Sequence, residues 1–282
     1  LARVLHVDEQ RAAVGREAGA GQLATHRAGE EAPHLAGLRV AGQQLVVAEP
    51  RRLAVQQPVG GDVGADPQPA FGVEGQAVGT AAALCIKNNL LPRGLYENKP
   101  KLKELQQTLL RDDQSIKGLK NEDLLDLARN AKVSASGEDA NCQPAQVLNG
   151  WTRTLPEYPN QWAAPLSTDG AWLELAWDKP QALRQVQLVF DSGFIRELTL
   201  SSSAEANKGI IRAPQPETVK KYSLLYQTED GKDWIELAST DNNHQRICRH
   251  KFAAVNAKRI RIHVKETNGD TLARIFEVRC YA

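Results

Sequence analysis

Aromatic residues and an arginine are concentrated in one loop-rich stretch of the chain, between segments that are predicted to be strands. They are Trp151, Arg153, Tyr158 and Trp162. Aromatic faces stack on sugar rings, and a guanidinium group donates forked hydrogen bonds. Large aromatic side chains mostly serve packing, so we expect Trp162 in the core, and Trp151 could instead pack a turn. The chemistry of Trp151, Arg153 and Tyr158 predicts a ligand-binding rim.

A second polar loop could extend this rim. Residues 201–209 are rich in serine and are followed by Arg212. Binding residues concentrate on loops that a rigid scaffold positions, although loops of this polarity are usually only solvated. We include Arg212 among the predicted binding residues.

Three residues with metal-ligand side chains lie close together in the sequence. They are His244, Cys248 and His250, and the last two share one face of a predicted strand, since side chains alternate. A zinc site takes three or four ligands, and the sequence shows no second cluster nearby. It also shows no Ser–His–Asp arrangement with an elbow motif and no paired carboxylates. The sequence therefore predicts neither a metal site nor a catalytic residue.

Charge and composition limit the functional classes. The 282 residues carry 35 Lys and Arg against 34 Asp and Glu, a net charge of +1, which gives no field of one sign for a nucleic acid or an anionic membrane. No apolar run approaches the roughly 18 residues of a spanning helix, and the first residues lack the apolar core of a signal peptide. Compartment and oligomeric state stay open, as does the disulfide state of Cys142, Cys248 and Cys280.

Residues 1–74 differ sharply in composition from the rest of the chain. The first lysine is Lys87, the first serine Ser115 and the first tryptophan Trp151. The early segment is almost all Ala, Gly, Val, Gln, Glu and Arg, with apolar residues too sparse to offset chain entropy. It is a disordered extension, a small irregular domain or a shifted-frame translation of GC-rich DNA. We favour the last interpretation.

The middle of the chain, residues 75–127, reads as helices. Residues 75–85 are small, and the amino end of such a helix presents free amides that suit an electron-rich oxygen. Leu102, Leu105 and Leu109 recur at helical spacing. A third short helix, carrying leucines at 124, 125 and 127, is predicted to start near Asn121, a good cap.

Residues 128–282 alternate between apolar and polar side chains. Apolar residues recur at every second position in several segments, among them Leu173, Leu175 and Trp177; Val186, Leu188 and Phe190; and Ile260, Ile262 and Val264. Turn signals such as Asp230-Gly231 separate the segments. Many short strands with one polar face predict a mainly β fold, an antiparallel sandwich or barrel.

The helical part resembles a known enzyme class. The run Gly75-Gln-Ala-Val-Gly-Thr-Ala-Ala-Ala-Leu-Cys85, the turn Pro92-Arg-Gly-Leu-Tyr96 and the segment Leu105–Gln114 resemble the end of bacterial FAD-dependent oxidoreductases of the glutathione-reductase-like class. In that family this helix closes the flavin site, so the resemblance implies cofactor-binding roles for Gly75, Gln76 and Gly79. The nucleotide-binding fold expected upstream is absent. We therefore expect FAD in an intact parent and none in this chain.

The last part resembles the discoidin, or coagulation-factor-five/eight C-type, domain, which is galactose-binding-like. The landmarks, in the family's order, are Ala131–Ser136, Pro144–Gly150, Asn160–Trp162, Ala171–Trp177, Leu183–Val189, Tyr222–Tyr226, Trp234–Leu237, Ala257–Ile262 and Ala273–Val278. The resemblance implies a jelly-roll sandwich that binds sugars, lipids or proteins through loops at one end. Asn149 stands where the family often has Asp, and Cys142 is poorly placed for the family's frequent disulfide with Cys280.

We therefore predict three segments: 1–74 anomalous, 75–127 a helical remnant and 128–282 a discoidin-like sandwich. The predicted function is the C-terminal part of an FAD-dependent oxidoreductase carrying a carbohydrate- or protein-binding module that catalyses nothing by itself. A stand-alone carbohydrate-binding or adhesion module is an alternative. So is an intramolecular docking domain without a ligand of its own. An extracytoplasmic location for the intact parent also stays open.

Overall fold

The computed structural model describes residues 39–40, 43–44, 68–155, 159–196, 198 and 200–282. Strands β1 (Arg39–Val40) and β2 (Gln43–Gln44) form an antiparallel pair. The described residues from 68 onward belong to a separate compact unit. The interpretations of residues 1–74 therefore concern residues that lie almost entirely outside the described part of the chain.

Three helices open this unit: α1 (Gln68–Asn88), α2 (Pro92–Glu97) and α3 (Lys99–Arg111). A proline occupies the first turn of both α2 and α3, and the Asn98 side chain caps α3 by accepting from the Lys101 amide. The helices bury a small apolar cluster made of Ala77, Ala81, Leu84, Cys85, Leu95, Leu105 and Leu109. No described helix has both the length and the apolar character needed to cross a membrane.

The prediction of a helix that starts near Asn121 is wrong. Asn121 Oδ1 accepts from the Asp123 amide, and Asp123 Oδ1 accepts from the Leu125 amide. Short polar side chains that bond the backbone two residues ahead offer it an alternative to helix. The chain therefore forms a turn in which the leucines at 124 and 125 are exposed. A short 3-10 helix (Leu127–Asn130) follows, and Asp126 caps it.

Seven strands form the rest of the unit. They are β3 (Lys132–Ala135), β4 (Trp162–Pro165), β5 (Ala171–Phe190), β6 (Val219–Gln227), β7 (Ile235–Thr240), β8 (Ile247–Thr267) and β9 (Leu272–Tyr281). A second 3-10 helix (Pro144–Leu148) follows β3, and a short helix α4 (Ala204–Lys208) lies between β5 and β6. The strands pair in the order β4-β9-β5-β8-β6-β7, with β3 on β5, and every pairing is antiparallel.

The two long strands, β5 and β8, bend and pass through both layers of a sandwich. Their pairing register shifts between Ala176 and Gln181. The first layer contains β3, the first half of β5, the second half of β8, β6 and β7; the second contains β4, β9 and the remaining halves. The core between the layers includes Trp162, Leu173, Leu175, Leu188, Leu224, Ile260, Ile262 and Ile275. The predicted mainly β, antiparallel sandwich is confirmed.

Several loops meet at one end of the sandwich, which we call the loop end. It contains the described residues of 149–155 and 159–161 before β4, of 191–196, 198 and 200–218 between β5 and β6, and residues 241–246 and 268–271. Asn268 Nδ2 donates to the carbonyls of both Thr218 and Asn243, which joins three of these loops. Arg246 donates to the Thr152 carbonyl, which joins the fourth.

Candidate functional site

Arg153 lies at the loop end and is held by an acid from the helical part of the chain. Its Nη1 donates to Asp113 Oδ1 at 2.7 Å, and its Nη2 donates to the Asp113 carbonyl at 2.8 Å. Its guanidinium also lies 4.7 Å from the ring centre of Phe194. Arg153 is therefore fixed in position, and 27% of its side chain stays exposed.

Arg246 completes the arrangement from the loop before β8. Its Nε donates to Asp113 Oδ2 at 2.6 Å, and its Nη1 donates to the Phe190 carbonyl at 2.7 Å. The guanidinium lies 4.7 Å from the ring centre of Phe194 and 4.9 Å from that of Phe276. Two arginines thus contact the same aromatic ring and share one carboxylate.

The protonation states follow from this geometry. Burial alone would raise the pKa of Asp113, but the charges and hydrogen bonds of Arg246 and Arg153 outweigh it and hold the pKa below its ordinary value. Burial lowers the pKa of Arg246, and the Asp113 carboxylate opposes that change. We therefore treat the cluster as a carboxylate bound between two guanidinium cations.

Phe194 is an exposed aromatic residue at the loop end. Half of the residue, 51%, is exposed, although its ring contacts both guanidinium groups. The neighbouring Arg196 is held by a bidentate ion pair with Glu217, whose pKa is lowered chiefly by the hydrogen bond from Arg196. Ile195 is more exposed still, at 80%. The loop therefore exposes two apolar side chains next to each other. The Phe194 ring contacts two guanidinium groups, whereas Ile195 is mostly surrounded by solvent.

The other predicted rim residues, Trp151, Arg212 and Tyr158, do not join Arg153 in this cluster. Trp151 is partly buried and lines a narrow crevice with Leu110 and Leu119 of the helical part. Arg212 is exposed on the segment after α4, and among the described residues no hydrogen bond or ion pair joins it to Trp151 or Arg153. Tyr158 lies outside the described residues. Of the predicted rim, Arg153 is the residue that contacts the exposed aromatic ring.

Sequence reasoning missed Phe194, Arg246 and Asp113. They lie far from Arg153 along the chain, and only the fold brings them together. The one available signal was a lone aromatic residue in a polar turn, Asp191-Ser-Gly-Phe194.

The core position predicted for Trp162 is confirmed, because the residue is fully buried. Its indole Nε1 donates to the Gly137 carbonyl at 2.9 Å. This bond satisfies the polar tip of a buried tryptophan, as such residues usually require.

Cys248 and His250 pack inside the sandwich near a tyrosine. The Tyr222 hydroxyl lies 2.8 Å from His250 Nε2, and Cys248 Sγ donates to Asn243 Oδ1 at 3.4 Å. Burial raises the pKa of the Cys248 thiol and lowers that of His250. His244 is exposed, and the described residues contain no group of three His, Cys, Asp or Glu arranged to hold a metal ion. All four cysteines are buried free thiols.

The amino-end position predicted for Gly75, Gln76 and Gly79 is wrong. Helix α1 begins at Gln68, so these three residues lie inside it, where backbone amides bond within the helix. The Gln76 side chain oxygen accepts from Gln114 Nε2 at 2.9 Å. As placed, the three residues do not present the free backbone amides that we expected at the amino end of the helix, and the cofactor-binding role that the oxidoreductase resemblance implies for them stays a prediction.

A scan of family models matches residues 126–196 to "Domain of unknown function (DUF7402)". The matched stretch contains Trp151, Arg153 and Phe194. A search of curated proteins found no match.

Solved structures similar to this chain include carbohydrate-binding modules. Chitosan-binding module 1 from the chitosanase/glucanase of Paenibacillus sp. IK-5 is 16% identical, with a TM-score of 0.41, covering 56% of this chain and 98% of that one. The module CpGH89CBM32-5 from Clostridium perfringens, in complex with GalNAc-beta-1,3-galactose, is 14% identical, with a TM-score of 0.40, covering 55% and 97%. The family 32 carbohydrate-binding module of Streptococcus pneumoniae EndoD is 16% identical, with a TM-score of 0.41, covering 55% and 98%.

Proposed function

We propose that the sandwich of this chain is a non-catalytic carbohydrate-binding module whose ligand contacts Phe194 at the loop end. The observation that carries the proposal is a half-exposed aromatic ring that two guanidinium groups hold at 4.7 Å. The resemblance to discoidin domains, which bind through loops at one end, supports the same place.

The chemistry of the site suits a sugar. One face of a pyranose ring is apolar and packs on an aromatic ring, while its hydroxyls take hydrogen bonds at the edge. Arg153 is partly exposed beside Phe194 and supplies donors in a fixed geometry. Because its ion pair with Asp113 already orders this side chain, ligand binding costs less conformational entropy there.

The two acids that pair with the arginines near Phe194 are suited to positioning those arginines rather than to catalysis. Glycoside hydrolysis needs two carboxyl groups beside the bond that breaks, one of them available as an acid. At the loop end, Asp113 is paired with Arg153 and Arg246, and Glu217 with Arg196. The pKa of each of these two acids is lowered, so both carry charge and neither is a proton donor at neutral pH.

The test is an array of neutral and acidic oligosaccharides, probed with the wild-type chain and with Phe194→Ala. We expect Phe194→Ala to weaken binding of the best neutral ligand by about tenfold or more, which corresponds to roughly 1.4 kcal/mol. Ile195→Ala is the matched control, because it removes a more exposed apolar side chain from the next position. Equal effects of the two variants, or no effect of Phe194→Ala, would reject the site.

A specific observation also favours the second candidate, an intramolecular docking domain. Gln187 and Arg279 lie on the outer face of the second layer, yet both are fully or almost fully buried. Gln187 Nε2 donates to the Arg111 carbonyl at 3.0 Å, and Arg279 Nη2 donates to the Leu110 carbonyl at 3.1 Å. The end of α3 therefore covers this face, and it does so without covering Phe194.

FAD binding by a longer parent stays a prediction that rests on the resemblance of residues 75–127. A flavin absorbance spectrum of the purified full-length gene product would test it.

A further inference from the structure

A second surface with binding chemistry lies on the outer face of the first layer, away from Phe194. Residues that stand directly opposite one another in antiparallel strands share a face. One row across this face reads Glu174 on β5, Arg261 on β8 and Leu225 on β6. We call this surface the sheet face.

Two tryptophans flank Arg261 on the sheet face. The Arg261 guanidinium lies 4.5 Å from the ring centre of Trp172 and 4.2 Å from that of Trp234. Both tryptophans are partly exposed, whereas Trp162 and Trp177 are buried with their indole N–H groups bonded to backbone carbonyls. Trp172 and Trp234 thus form an ordered aromatic platform that is open to solvent.

The sheet face is also basic. Every second residue of β8 from 259 to 265 has a basic side chain: Arg259, Arg261, His263 and Lys265. Alternation places Arg259, Arg261 and His263 on one face of the strand. Lys265 follows them at an irregularity, where the register against β6 shifts between Val264 and Glu266, and its side chain is exposed. The acids opposite them are Glu174, which pairs with Arg259 and Arg261, and Glu236, which shares the row through Leu225.

Glu174 and Arg259 have different roles on this face. Glu174 is 5% exposed, and its two oxygens bind Arg259 at 3.2 Å and Arg261 at 2.8 Å, which fixes the cations. Half of the Arg259 side chain is exposed, so its charge remains accessible to a ligand. Lys265 is exposed further along the same strand.

We propose that the sheet face binds an acidic polysaccharide, with its pyranose rings on Trp172 and Trp234 and its carboxylates on Arg259 and Lys265. The charge excess selects an anionic chain, and the aromatic platform selects a sugar rather than any polyanion. A polymer fits better than a single sugar, because the cations are spread along the strand. This site is independent of the proposed function of the loop end.

The test is a calorimetric titration of the whole chain with a galacturonate tetramer. A neutral galactose tetramer and a glutamate peptide of equal charge serve as control ligands. We expect the galacturonate tetramer to bind, to change tryptophan fluorescence and to lose affinity as salt is raised, because exposed charges are screened. Trp234→Ala and Arg259→Gln should each weaken binding by about tenfold, and Phe194→Ala should leave it unchanged.

Four results would overturn the proposal: no binding of the galacturonate tetramer, equal binding of the neutral tetramer, equal binding of the peptide, or loss of binding in Phe194→Ala. Arg259→Gln changes a half-exposed residue, so it keeps the test valid if Trp234→Ala fails to fold. Failure here would leave the loop-end proposal intact, since that proposal is tested by Phe194→Ala on the glycan array.

Discussion

Asp113 offers the sharpest test of how the helical part and the loop end are joined. Its side chain is 11% exposed and forms ion pairs of 2.7 Å with Arg153 and 2.6 Å with Arg246. The substitution Asp113→Asn keeps the shape and removes the charge, which leaves Arg246, itself 11% exposed, without a counterion. Removing one partner of a buried pair costs about 3–5 kcal/mol.

Two features make the expected loss of stability in Asp113→Asn smaller than this general cost of breaking a buried ion pair. Arg153 is more exposed and recovers part of its hydration, and Arg246 keeps its bonds to the carbonyls of Phe190 and Thr152. We therefore expect Asp113→Asn to lower the free energy of unfolding by about 2–4 kcal/mol. Urea unfolding at neutral pH, followed by tryptophan fluorescence, measures this quantity.

Asp112→Asn is the matched control at the neighbouring position. Asp112 pairs with Arg249 at 2.7 Å, but the two side chains are 42% and 37% exposed. Exposed pairs of this kind contribute about 0–1 kcal/mol. If the two variants lost equal stability, the buried character of the Asp113 cluster would be refuted.

Two further predictions concern the same unit. Asp126 is buried, and desolvation raises its pKa to about 6. The stability from the protonated carboxyl is complete below the unfolded pKa of about 4 and is lost as pH rises through 6. Wild type should therefore lose about 1.4 kcal/mol relative to Asp126→Asn between pH 5 and 8, because one pH unit of that range lies below the folded pKa. Urea midpoints of both proteins at the two pH values measure this, and parallel pH profiles would contradict it. Gly150 has φ +86°, and an added Cβ would lie 2.7 Å from the Asn121 carbonyl oxygen, so Gly150→Ala should cost about 2 kcal/mol or more in thermal or urea unfolding. The control Gly75→Ala lies in open space within α1 and should stabilise by roughly 0.5–1 kcal/mol; equal effects of the two would refute the strain at Gly150.

The sandwich was predictable because alternation is a local property of the sequence. The apolar positions of β5 and β8, such as Leu173, Leu188 and Ile262, are the same ones that fill the core. The start of α1 was not predictable from residues 68–74, because Pro69 and Gly72 are residue types that are disfavoured within helices. The false helix near Asn121 shows that a good cap residue also forms good turns.

The site was only partly predictable. Arg153 belongs to the observed cluster, but its partners Asp113, Phe194 and Arg246 come from three distant parts of the chain. Trp151 was predicted to belong to the ligand-binding rim, with packing against a turn as the alternative, and it lines a crevice against the helical part. No periodicity in the sequence encodes such non-local contacts, since they depend on how the loops meet at one end of the sandwich.

The most direct test of the carbohydrate-binding function is an NMR titration of the chain with labelled phenylalanine rings. The chain has five phenylalanines, so each ring resonance can be assigned by substitution. With the best neutral ligand from the glycan array, we expect the ring signals of Phe194 to shift and those of Phe252, on β8, to stay unchanged. Unchanged Phe194 signals at saturating ligand would contradict the proposed function.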